Sequence, residues 1–308
     1  MSHTYAIGID IGGTNTDIGL VRSDGTCMAR TNLPTQSFNN IELYADALAE
    51  EIRKLLSDKK IDKIEGVGIG APNANYYTGT IDFAPNLPFK GKLFLRDMLT
   101  SRLGVKIVLT NDANAAAFGE KIYGGARDLT DFILFTLGTG VGSGIFINGQ
   151  MVYGHDGFAG ELGHTTLYPD GRLCSCGRKG CLEQYASARG IVQTYKLICE
   201  ETGVEPADVT CRDLSMMADN GDERARETWR RTARYLSIGF ADAVCFSSPQ
   251  AIFLMGGPVK AGHWLLDPLR EFFEGELMPI FKGKAKILRS QLPENDAAVL
   301  GAAALVYE

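Results

Sequence analysis

The chain has 308 residues, 45% apolar and 22% charged, the values of a water-soluble globular protein with ample core rather than a disordered or fibrous one. Lys plus Arg number 31 against 37 Asp plus Glu, and a net charge of -6 argues against nucleic-acid or anionic-membrane partners. At about 150 residues per domain, the length suggests two domains.

No run reaches the ~18 uninterrupted apolar residues of a membrane helix. The start, Met1-Ser2-His3-Thr4-Tyr5, lacks the basic patch and apolar run of a signal peptide, so a cytoplasmic location is expected. Seven cysteines, an odd number without an export signal, do not read as a disulfide framework.

In chain order, residues 5–10 form an apolar strand ending in Asp10, followed by the turn Gly12-Gly13-Thr14 and strands near 17–21 and 27–33. Residues 41–56 carry a helical apolar stripe, 64–70 read as a strand, and 73–91 as mostly loop. A short helix over 95–103, a strand over 105–110 and a helix over 112–123 follow, the last capped by Asn111 or Asp112. Strands at 132–137 and 144–147 flank the loop Gly138-Thr139-Gly140-Val141-Gly142. A Cys- and Gly-rich stretch spans 164–181, then helices are expected at 183–201, 211–220 and 222–246. A strand at 251–255 runs into Gly256-Gly257-Pro258, and a helix over 297–307 closes the chain.

The strand–glycine hairpin–helix–strand pattern thus occurs twice, beginning near residues 5 and 131, which implies two α/β domains of related topology. We expect a first domain over residues 1–117, with the C-terminal helix 297–308 packing back on it, and a second over 118–296.

Glycine lets backbone N–H groups approach phosphate oxygens and threonine adds a hydroxyl, so the two turns read as a polyphosphate site, with Asp10 an acceptor for Mg²⁺. Tight hairpin formation alone is the plainer explanation of either turn. No G-x-x-x-x-G-K-S/T occurs, which excludes a P-loop; Gly66–Ala71 fits the loose dinucleotide spacing, but Pro72 follows where a helix must open.

His164, Cys174, Cys176 and Cys181 give H-x9-C-x-C-x4-C, a closed tetrahedral Zn²⁺ set with no open position, hence structural. Fixing that loop fixes Glu161 and Glu183 on either side of it, and His164 can offer its second ring nitrogen to a ligand. Asp112, at a strand-to-helix junction, is a candidate general base as well as a candidate cap.

Taken together, Asp10-Ile11-Gly12-Gly13-Thr14, Asn111-Asp112-Ala113-Asn114, Leu137–Gly142, and Gly160-Glu161-Leu162-Gly163-His164 with its C-x-C-G-x-x-G-C-L-E sequel resemble the ROK family of bacterial sugar kinases and related repressors. The likeness runs from residue 6 to the final helix, and Ala84-Pro85-Asn86-Leu87-Pro88 is most similar to the glucokinase branch. It implies an actin-like, ribonuclease H-like two-domain fold with an interdomain cleft. ATP phosphates and Mg²⁺ would be held by Asp10, Gly12, Gly13, Thr14, Gly138, Thr139, Gly140 and Gly142, with Gly256 and Gly257 beside the adenosine. The hexose would be held by Asn73, Asn86, Asn111, Asp112, Glu161, His164 and Glu183, with Asp112 as general base on the 6-hydroxyl. Glucose is the expected acceptor; N-acetylglucosamine, N-acetylmannosamine, fructose, mannose and allose are the rivals. A homodimer is implied, and a sugar-sensing regulator is the distant alternative, since too few residues precede Asp10 for a DNA-binding domain. Asn73 departs from the family's G-x-P-G, as does Pro258 from its third small residue.

Overall fold

The computed structural model describes residues 3–308. They fall into two compact units: one contains residues up to Leu129 together with Met151–Ala159 and Gln291–Glu308, the other Thr130–Gln150 and Gly160–Ser290. The division expected after residue 117 falls inside a continuous helix, Asp112–Ile122, which no domain boundary interrupts.

The first unit begins with β1 (Tyr5–Ile11), β2 (Thr16–Arg22) and β3 (Cys27–Leu33) and continues through α1 (Ile41–Asp58) to β4 (Val67–Gly70). Two short strands, β5 (Ala74–Asn75) and β6 (Thr80–Asp82), then pair with β7 (Lys92–Leu93) in a small sheet inside the stretch expected to be loop. Next come α2 (Leu95–Leu103), β8 (Ile107–Thr110) and α3 (Asp112–Ile122). The main sheet has the order β3-β2-β1-β4-β8, antiparallel through β1 and parallel beyond it.

Alternation along β1 assigns its two faces. Ile7, Ile9 and Ile11 join the cluster that includes Tyr44, Leu48 and Ile52 of α1, whose first turn is capped by the Asn40 side chain accepting the Glu42 and Leu43 N–H groups. On the other face Gly8 pairs in register with Gly19 and Gly68, a row of glycines across three strands. The C-terminal helix Ala297–Ala304 lies on that row: a Cβ on Gly8 would collide with the Val299 carbonyl, and one on Gly68 with the Ala302 carbonyl. Small residues on both partners allow this close approach.

The second unit repeats the plan with β9 (Phe132–Leu137), β10 (Val141–Ile147) and β11 (Gln150–Met151). Four helices follow, α4 (Glu183–Ala186), α5 (Ala188–Glu201), α6 (Cys211–Asp219) and α7 (Glu223–Ser247), and then β12 (Ala251–Met255), α8 (His263–Glu276) and β13 (Lys286–Arg289). The sheet order, β11-β10-β9-β12-β13, matches the first in its third-second-first-fourth-fifth sequence, with β9, β12 and β13 parallel.

Other expectations about the helices and strands change as well. The single helix over 183–201 is two, because Ser187 leaves helical geometry and its side chain caps α5 on the Gly190 N–H. The helix expected from 222 starts at Glu223, with Asp222 as its cap. Helix α8, which carries Pro268 inside it, and β13 were not expected. Among the described residues no helix is long and apolar enough to cross a membrane.

Candidate active site

In the first unit Asp10, next to last in β1, lies opposite Asp17 of β2 and Gly70 of β4, and the turn Gly12–Asn15 closes on the Gly12 N–H donating to the Asn15 carbonyl at 2.9 Å. A Cβ on Gly70 would lie 3.1 Å from the Ala115 methyl, 3.5 Å from the Asp112 Cα and 3.9 Å from Asp10 Oδ1, so this glycine lets the start of α3 pack close beside Asp10. Burial, then the charges of Asp112 and Asp17, push the Asp10 carboxyl up to about 7, with Arg30 opposing. Asp112 is reachable by solvent, yet the surrounding protein withdraws enough water to raise its carboxyl as well.

The capping question is settled in favour of Asn111, whose side chain accepts the Asn114 N–H at 2.7 Å. Asp112, the first residue of α3, accepts the Ala113 N–H at 2.8 Å and is not the residue that caps the helix start. The first turn is seated against the sugar-loop candidate Asn86, since Gly13 approaches the Asn86 carbonyl too closely for a side chain. Asn73 sits at φ 52, the left-handed region that glycine favours and asparagine tolerates, and its amide donates to the Asp82 carbonyl at 3.1 Å. Asparagine at this position is therefore compatible with the left-handed backbone it adopts.

In the second unit the turn is shorter than expected. β10 begins at Val141, so Gly142 is a strand residue opposite Thr136 and the turn proper is Gly138–Gly140. Gly138 and Thr139 are exposed, and the Gly138 carbonyl accepts the Ala188 N–H at 2.8 Å, anchoring the turn to the start of α5. Gly256, at φ 112, packs on the Leu137 backbone, where a Cβ would collide; the Gly256–Gly257 bend thus adjoins the turn.

His164, Cys174, Cys176 and Cys181 converge, with one ligand atom from each lying within 4.8 Å of the others. The Cys176 and Cys181 sulfurs are 3.7 Å apart, and Cys174 Sγ is 3.6 Å from His164 Nδ1. A disulfide needs ~2.05 Å. A tetrahedron with ~2.3 Å zinc–sulfur and ~2.05 Å zinc–nitrogen arms has edges of about 3.8 and 3.6 Å. Geometry and donor chemistry therefore fit a zinc ion, with Nδ1 turned inward.

Glu161 precedes the short 3-10 helix Leu162–His164 and is exposed. Glu183 opens α4 two residues after Cys181, and its Oε2 accepts the Val141 N–H at 3.1 Å. Supports that sequence reasoning missed are Gln184, whose amide donates to Cys174 Sγ at 3.4 Å, Ser143, whose hydroxyl donates to the Gly160 carbonyl, and Arg178, which donates to the His164 carbonyl. Their partners lie far along the chain, beyond any local pattern.

Two sheets of the same order, each with a glycine turn after its first strand, define the two-domain actin-like ATPase fold. The ROK family model matches residues 6–308, and the chain belongs to that family. It is 35% identical to the glucokinase of Thermotoga maritima, the match covering 98% of this chain and 97% of the relative. A solved ROK family glucokinase from Streptomyces griseus, in complex with glucose and AMPPNP, is 34% identical with TM-score 0.78 and 98% coverage of both chains. The ROK hexokinase of Thermus thermophilus is 30% identical with TM-score 0.82, over 99% of this chain and 98% of that one. The Bacillus spizizenii xylose repressor is also 30% identical, the match covering 99% of this chain and 77% of that protein.

Proposed function

We propose that the protein is an ATP-dependent sugar kinase that converts glucose to glucose 6-phosphate. What supports the reading is Asp112 itself: reachable by solvent, its carboxyl raised by the surrounding protein, released from capping, and near Asp10 at one end of the first sheet. Near-full-length likeness to glucokinases, one of them solved with glucose and an ATP analogue, supports the substrate pair.

In this reading Asn73, Asn86, Asn111, Glu161, His164 and Glu183 hold the sugar hydroxyls, and Asp112 orients the 6-hydroxyl. As that oxygen bonds to the γ-phosphorus, its proton passes to Asp112 and the bond to the β,γ-bridging oxygen breaks, releasing ADP. A raised carboxylate pKa makes Asp112 a better base. The ATP phosphates would be held by Gly12, Gly13, Thr14, Gly138, Thr139, Gly140 and Gly142, and the adenosine by Gly256 and Gly257. Asp10 would hold Mg²⁺, which when bound would supply charge neutralisation on the phosphates. His164, Cys174, Cys176 and Cys181 would hold a structural Zn²⁺, which would position Glu161, His164 and Glu183. Assembly as a homodimer, which the family resemblance implies, and a cytoplasmic location complete the reading.

A coupled ADP-release assay over glucose, N-acetylglucosamine, N-acetylmannosamine, fructose, mannose and allose tests this. Glucose is expected to give the highest kcat/KM. Preference for another hexose would reassign the acceptor, and sugar binding without ADP release would make the protein a sensor.

A further inference from the structure

Glu183 joins two segments of the second unit that lie 42 residues apart. While its Oε2 accepts the Val141 N–H at 3.1 Å, a Cβ on Gly140 would fall 2.5 Å from that same oxygen. Its Oε1 lies 3.5 Å from Gln184 Nε2 and 4.0 Å from Cys174 Sγ. The carboxylate therefore stands against the Gly138–Gly140 turn and covers the N–H that follows it.

The backbones on either side are fastened together. Gly163 approaches the Val141 carbonyl too closely for any side chain, and the Ser143 hydroxyl links the Gly160 carbonyl and the Leu162 N–H. The segment carrying the zinc ligands and strand β10 thus hold a fixed relation, and the Glu183 side chain is the group that can change partner by a rotamer step. Where it now stands, it opposes an arriving triphosphate twice: it occupies a backbone donor of the kind that glycine turns offer to anions, and it places a like charge beside them.

We propose that Glu183 is a two-position gate. In the sugar-free protein it caps the Val141 N–H; when a hexose hydroxyl takes the carboxylate, that N–H and the turn open to the nucleotide phosphates. The proposal rests on the kinase reading and adds an order to it, the acceptor preparing the nucleotide turn. Phosphate is then held in place only when an alcohol is present to receive it, which limits transfer to water.

The test is calorimetric titration of AMPPNP with Mg²⁺ into wild type and E183Q, each with and without saturating glucose, zinc content and thermal midpoint confirming the fold. Wild type is expected to bind the analogue at least about fivefold more tightly with glucose, and glucose more tightly with the analogue by the same factor. E183Q is expected to bind the analogue more tightly than wild type without sugar and to show less than about a twofold response to it. A measurement without any variant follows the Val141 amide in ¹⁵N-valine-labelled protein, which should move upfield on adding glucose alone. Unchanged coupling in E183Q, or a Val141 amide indifferent to glucose, overturns the gate while leaving an active kinase in place. A wild type that binds neither ligand overturns the kinase reading and the gate with it.

Discussion

Gly13 rests against Asn86 so closely that a Cβ on the glycine would lie 2.5 Å from the Asn86 carbonyl oxygen. Both sides of this contact are backbone, so neither can yield by a rotamer change. In the proposed mechanism it ties the turn that holds phosphate to the loop that holds sugar. Gly13→Ala is expected to lower kcat/KM roughly a hundredfold, the cost of misplacing reacting groups by about 1 Å. Steady-state kinetics with circular dichroism check this, and wild-type kinetics in a folded variant would contradict it.

The row Gly19–Gly8–Gly68 makes a separate prediction about stability. Gly8→Ala or Gly68→Ala would drive a methyl group into the backbone of the C-terminal helix. Overpacking against backbone is expected to destabilise by about 3 kcal/mol or more. Chemical denaturation gives the number, and a loss under about 1 kcal/mol would show that the helix can shift outward.

For Asp10 the pH dependence has a definite sign. Burial, Asp112 and Asp17 raise its folded pKa to about 7 from 3.8, so the folded state holds this proton more tightly than the unfolded one. Its contribution to stability is therefore fully present below about pH 4 and lost as pH rises to about 7, with an upper slope of about 1.4 kcal/mol per pH unit. Asp10→Asn removes the effect. In ligand-free protein the variant should gain thermal stability relative to wild type between pH 5 and pH 8; a gap independent of pH would refute the assignment.

Metal content tests the four-residue cluster. One zinc per chain is expected, and Cys176→Ser should lose it, lowering the thermal midpoint by several degrees and weakening glucose binding through Glu161, His164 and Glu183. Elemental analysis and calorimetry decide, and unchanged glucose affinity in zinc-free protein would remove the positional role.

Legibility followed the range of the interactions. The strands beginning at Tyr5 and Phe132, the α1 stripe and the clustered cysteines could be read because each is written within a few neighbouring residues. Helix α8 escaped because Pro268 lies inside it and no side chain caps its start. The break at Ser187 escaped because the Ala188 N–H is taken by the Gly138 carbonyl, a partner 50 residues back along the chain that no periodicity encodes. Within the candidate site, residue types were legible, while which of Asn111 and Asp112 caps α3 depended on side-chain geometry. The bond between Glu183 and Val141 was invisible for the same reason.

The most direct measurement concerns Asp112. Because Asn111 carries the cap, Asp112→Asn should leave fold and zinc content intact. The account predicts kcat for glucose down by about 10²- to 10⁴-fold, the usual worth of a positioned base, with the calorimetric Kd for glucose within about tenfold of wild type. A variant that turns over glucose at near wild-type kcat would contradict it.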